Sequence, residues 1–127
     1  MLVGASAAGL RAEPPADAIR GVIGAQFDAF RAQDEATAFT FASPAIKGMF
    51  QTPQNFGVMV RNGYPMIWAP GDVEFLGLRE ERGFLYQRVR VTDRAGEVFF
   101  FDYEMVESEA GWQINGVFPV KSTDFGV

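Results

Sequence analysis

Hydrophobic positions along the chain change period near residue 64. Before that point they recur every three or four residues, and after it they alternate. Ile19, Val22, Ile23, Gln26, Phe27 and Phe30 fall on one helical face, with Asp17, Arg20, Asp28 and Arg31 largely opposite. The spacing predicts a helix over about 18–32, capped by Asp17. Gly21 and Gly24 interrupt it and suggest close packing against a sheet. A second short helix from Asp34 ends before Ser43-Pro44, because the residue before a proline is pushed out of the helical region. Pro44 begins a third turn carrying Ile46, Met49 and Phe50. Thr52 caps a fourth helix that opens on Pro53, places Phe56, Met59 and Val60 on one face, and stops at Asn62-Gly63.

Beyond Tyr64-Pro65 the segments 66–68, 73–79, 84–92, 98–107 and 112–120 read as strands. Turns are expected at Pro70-Gly71, Glu81-Arg82-Gly83, 93–96 and 109–111. Connections this short make neighbouring strands antiparallel. The expected fold is therefore α+β: N-terminal helices packed on a curved antiparallel sheet of about four to five strands. The folded unit is expected over residues 16–120, with a leader at 1–15 and a tail at 121–127. Residues 1–12, MLVGASAAGLRA, resemble the apolar and cleavage parts of a secretory signal without its basic start, so export to the periplasm or beyond is the expectation, with the cytoplasm as the alternative.

Composition narrows the chemistry. The 127 residues suffice for one domain, and 13 Phe, 3 Tyr and 2 Trp make its core aromatic. There is no histidine and no cysteine, so imidazole bases, thiol nucleophiles, disulfides and the usual zinc sites are excluded. Eleven basic residues against sixteen acidic ones give a net charge of -5. The arginines at 79, 82, 88, 90 and 94 are interleaved with acids, which argues against nucleic acid as a partner. No run of 18 apolar residues exists to span a membrane. Phosphate-binding glycine loops, dinucleotide fingerprints and calcium-loop spacings are lacking, so no cofactor and no metal are expected.

AFTFASPAIKGMF (38–50), FGVMVRNGYPMIW (56–68) and GWQINGV (111–117), taken together, resemble a family of small, often exported proteobacterial proteins known as a domain of unknown function. The resemblance covers about residues 18–118. It implies a cone-shaped, nuclear-transport-factor-two-like (cystatin-like) roll in which a concave sheet and a helical lid enclose a commonly apolar pocket, with a sheet surface that often forms a homodimer. It implies no established reaction and hence no catalytic residues. The wider superfamily includes ketosteroid-isomerase-like enzymes and dehydratases as well as members that only bind, and fold alone does not choose among them.

The strand 98–106 is the pivotal element. Alternation sets Phe99, Phe101, Tyr103 and Met105 on one face and Val98, Phe100, Asp102, Glu104 and Val106 on the other. With the aromatic face inward, Asp102 and Glu104 become outward residues that keep the sheet soluble. With the other face inward, Asp102 with Tyr64 supplies an acid/base pair for a lyase or isomerase. Tyr64 sits at the helix-to-sheet transition, as an aromatic plug or a ligand donor. Gln87 lies among Leu85, Val89 and Val91 and must be hydrogen-bonded, either to a ligand or as a structural tie. Asn115-Gly116 inside the last strand reads as a bulge, and Ser43 as a cap, since no base is at hand to activate it. The favoured expectation is a non-catalytic module that binds a small apolar or amphipathic molecule or dimerises. Its candidate ligand contacts are Tyr64, Trp68, Gln87, Phe101 and Tyr103. A purely structural partner protein is the third possibility.

Overall fold

The computed structural model describes residues 15–121. The signal-like leader falls outside them except for Pro15, and so does the expected tail except for Lys121. Among the described residues five helices precede four strands: α1 Ala16–Arg31, α2 Glu35–Thr40, α3 Pro44–Phe50, α4 Pro53–Gly63, α5 Pro65–Trp68, β1 Pro70–Glu81, β2 Phe84–Asp93, β3 Val98–Ser108 and β4 Gly111–Val120. The strands form one antiparallel meander in the order β1-β2-β3-β4, so the expected α+β class is the one observed. No helix among the described residues is long and apolar enough to cross a membrane.

Local chemistry accounts for the helix starts. Asp34 accepts from the Thr37 amide, Ser43 from that of Ile46 and Thr52 from that of Asn55, and Pro44 and Pro53 occupy first-turn positions where a missing N–H costs nothing. Asp17 does not cap. It lies inside the first turn of α1, whose N-terminal flank is Pro15, and there its charge complements the helix dipole. The glycines of α1 do not serve close packing either: a Cβ built on Gly21 or Gly24 meets nothing within 4 Å.

Residues 66–68, expected as a strand, form the single turn α5. Pro65 presets the first helical φ, and the Tyr64 carbonyl accepts from the amides of Ile67 (2.9 Å) and Trp68 (3.0 Å). Three apolar residues in a row are too few to show a period, so the turn-forming proline decides. The expected turn at Pro70-Gly71 is instead the start of β1. Pro70 pairs with Asp93, and Gly71 sits in a bulge so close to β2 that a Cβ there would lie 2.6 Å from the Thr92 carbonyl oxygen.

α1 lies across the sheet and buries Ile19, Ile23, Phe27 and Phe30 against Val89, Val91, Phe101, Tyr103 and Met105. The aromatic face of β3 is thus the inner one: Phe101, Tyr103 and Met105 are 2%, 0% and 1% exposed. The segment between α2 and α3 docks on β4 through a parallel bridge, with the Ser43 amide donating to the Ile114 carbonyl (2.8 Å) and the Ile114 amide to the Phe41 carbonyl (2.9 Å). That docking fixes α3 beside the far end of the sheet.

Candidate functional site

α3 and α4 do not close completely on β3 and β4, although Phe56 of α4 stacks on Phe30 of α1 (6.2 Å). A cavity of about 320 Å³ remains. Ile46, Met49 and Phe50 come from α3, Phe56, Met59 and Val60 from α4, and Ile67 from α5. Gln26 and Phe30 of α1 and Ala42 complete the helical side. The sheet contributes Tyr103 and the stretch 114–118. Met49 and Phe118, which are 69% and 50% exposed, belong to the same lining and put apolar surface at its margin. Among the described residues no charged side chain lines the cavity. A wider depression of about 480 Å³ near Trp112 carries Lys47, is more polar, and contains none of the candidate contacts.

The few polar groups on the cavity wall are mostly committed. Gln26 Nε2 donates to the Ala38 carbonyl (3.2 Å). Asn115 occupies the expected bulge, between the pairs Glu104↔Gly116 and Met105↔Ile114. Its Oδ1 accepts from Ser43 Oγ (2.6 Å), and its Nδ2 donates to Glu104 Oε2 (2.7 Å). Glu104 also accepts from the Tyr86 hydroxyl (2.7 Å), so a continuous chain of hydrogen bonds ties the outer sheet face to the cap of α3. Ser43 is accordingly a cap and a tie.

The two phenols behave differently. The Tyr64 hydroxyl makes a long bond to the Val117 carbonyl (3.4 Å). The Tyr103 hydroxyl is buried and has no hydrogen-bond partner among the described residues. Burial pushes the Tyr103 phenol well above the ordinary tyrosine range, with a further push from nearby Tyr64. It is therefore a neutral donor.

Of the five candidate contacts, only Tyr64 and Tyr103 reach this cavity. Phe101 faces Tyr64 with ring centres 6.0 Å apart and, with it, lines a separate depression near Val98 and Pro119. Trp68 packs on Phe30 (5.6 Å) and lies under the Arg61 guanidinium (4.9 Å). Gln87 is a structural tie: its Nε2 donates to the carbonyls of Leu76 (2.9 Å), Gly77 (3.3 Å) and Arg88 (2.9 Å), the first two lying in the β1 irregularity between Phe75 and Leu78. The helical lining at Ile46, Phe50, Phe56 and Met59 was visible in the sequence as apolar helix faces, but periodicity does not say that two such faces leave a gap between them.

Asp102 lies on the outer sheet face, away from the cavity, yet it is not the solvated residue that alternation suggested. It is 7% exposed because guanidinium groups cover it. Cross-strand Arg88 donates through Nε to Oδ1 (2.9 Å) and through Nη2 to Oδ2 (3.0 Å), and Arg79 Nη2 adds a third bond to Oδ2 (3.0 Å). Burial works to raise the carboxyl's pKa, but the hydrogen bonds and charges of the two arginines outweigh it and leave the group below its ordinary value. Asp102 is a charged clamp rather than a proton acceptor for the cavity. No cluster of potential metal ligands occurs among the described residues.

Residues 12–127 match the family described as Domain of unknown function (DUF4864), and the chain belongs to that family. No curated protein and no solved structure matches it.

Proposed function

We propose that this DUF4864 chain is a small-molecule-binding module that holds an uncharged, largely apolar compound between α3, α4 and the β3–β4 half of the sheet. One observation carries the reading: a cavity of about 320 Å³ bounded by apolar and aromatic side chains from both layers, with apolar residues at its margin. That volume lies at the lower end of pockets that enclose small organic ligands, about 300–1,000 Å³. The absence of histidine and cysteine from the chain, and the position of Asp102 on the outer face, favour binding over acid/base chemistry in this cavity. We also place the fold with the nuclear-transport-factor-two-like cones. The support is the order of helices before an antiparallel meander and a cavity between the two layers.

Native mass spectrometry of the protein extracted under mild conditions tests the reading, together with thermal shifts against a panel of neutral aromatic and aliphatic compounds. The expectation is a non-covalent adduct, or a stabiliser giving about 2.7 kcal/mol at a hundredfold excess over Kd. A ligand-free mass together with no stabilising compound in the panel contradicts it.

A further inference from the structure

Tyr103 is anomalous within this cavity. Its ring sits on the inner face of β3, 6.0 Å from that of Phe27, and the residue is wholly buried, yet its hydroxyl has no partner among the described residues. An unmade hydrogen bond in a dry site costs about 1–3 kcal/mol, and phenylalanine would fill the same space without that cost. Of the neighbouring polar groups, Asn115 is bonded at both ends of its amide, Gln26 donates to the Ala38 carbonyl, and the Tyr64 hydroxyl donates to that of Val117. Tyr103 thus carries an unpartnered neutral donor on a residue that lines a space where no charged side chain of the described residues can meet an ion.

We infer that the cavity selects a neutral carbonyl compound, a ketone, ester or amide on an apolar body, whose oxygen accepts a hydrogen bond from Tyr103. This rests on the apolar-cavity reading above and adds the ligand's polar group and its anchor. A carboxylate is disfavoured, because it would leave water for a site that offers no cation, and Glu104 stands just behind Asn115. A pure hydrocarbon fills the space but leaves the hydroxyl unpaired.

The test uses three probes on one naphthalene skeleton: 2-acetylnaphthalene, 2-isopropylnaphthalene with the carbonyl replaced by an isosteric branch, and 2-naphthoate at pH 7. Titrations are followed by methyl resonances of Ile46, Ile67 and Ile114 in the full chain. The ketone is expected to bind at least fivefold more tightly than the hydrocarbon and the carboxylate more weakly than either. Tyr103→Phe keeps the ring and should erase the ketone's advantage while leaving hydrocarbon affinity within twofold. Tyr64→Phe should retain the advantage. Equal binding of ketone and hydrocarbon by the wild-type protein overturns the inference. So does an advantage that survives Tyr103→Phe, an advantage lost only in Tyr64→Phe, or tighter binding of the carboxylate. In the first three cases the apolar-cavity reading stands, whereas tighter binding of the carboxylate also overturns its claim that the ligand is uncharged. If none of the three probes binds, that reading fails and the inference with it.

Discussion

Replacing Asp102 with asparagine should remove far more stability than an exposed strand residue would. The side chain keeps its size, but the new amide N–H₂ confronts a guanidinium donor, and the charge that three bonds of 2.9–3.0 Å converge on is gone. Exposed ion pairs contribute about 0–1 kcal/mol. Removing one member of a fully buried pair costs about 3–5 kcal/mol. Here the carboxylate side chain is 10% exposed, while Arg88 and Arg79 are 21% and 39% exposed and partly hydrated. An intermediate loss of about 2 kcal/mol follows from those two bounds. In urea, with a slope of about 2 kcal/mol per molar, the midpoint of Asp102→Asn should fall by about 1 M at pH 7.

The pH dependence carries the sign. The folded-state pKa of Asp102 lies below its ordinary 3.8, so its contribution is complete above that value and is lost as pH falls through the folded pKa. The gap between wild type and Asp102→Asn should accordingly be constant from pH 7 to about 5 and shrink toward pH 2 as the wild-type carboxylate takes up its proton. A gap under about 0.5 kcal/mol at pH 7 would refute the clamp, because that is the value of an ordinary surface change. A gap that persists undiminished at pH 2 would refute the electrostatic origin.

Three further substitutions test the local reasoning. Gly21→Ala and Gly24→Ala in α1 place a Cβ where nothing lies within 4 Å, so each should stabilise the fold by about 0.5–1 kcal/mol, read as a raised thermal midpoint; a lowered midpoint would mean that the surface of α1 is covered. Gln87→Leu fills the same interior but strands the Leu76 and Gly77 carbonyls, and should cost about 1–3 kcal/mol in chemical unfolding. A neutral or stabilising outcome would show that the tie is dispensable.

How much of this was readable in the chain depends on whether one element or two decide the outcome. Alternation in β3 grouped Phe101, Tyr103 and Met105 on one face by a rule internal to one strand, and left open which face is the inner one until their burial decided it. The caps at Ser43 and Thr52 and the bulge at Asn115 were equally local. What escaped requires neighbours. Asp102 looks solvent-facing along its own strand and is buried only because Arg88 is its cross-strand partner and Arg79 reaches over from β1. Gln87 has the composition of a ligand contact, and its real partners are carbonyls of an irregular stretch of β1 whose register the sequence does not reveal. Buried Phe101 and half-buried Trp68 have the composition of ligand contacts, but they pack away from the cavity whose helical wall comes largely from α3 and α4.

The central claim is that an uncharged apolar molecule occupies the space between α3, α4 and β4. Methyl-resolved NMR titration with 2-isopropylnaphthalene tests it most directly, since hydrophobic filling alone should suffice for measurable binding. The account predicts saturable shifts concentrated on Ile46, Val60, Ile67 and Ile114. Shifts that fail to saturate, or that gather instead on Ala18 and Val22 beside the polar depression, would contradict it.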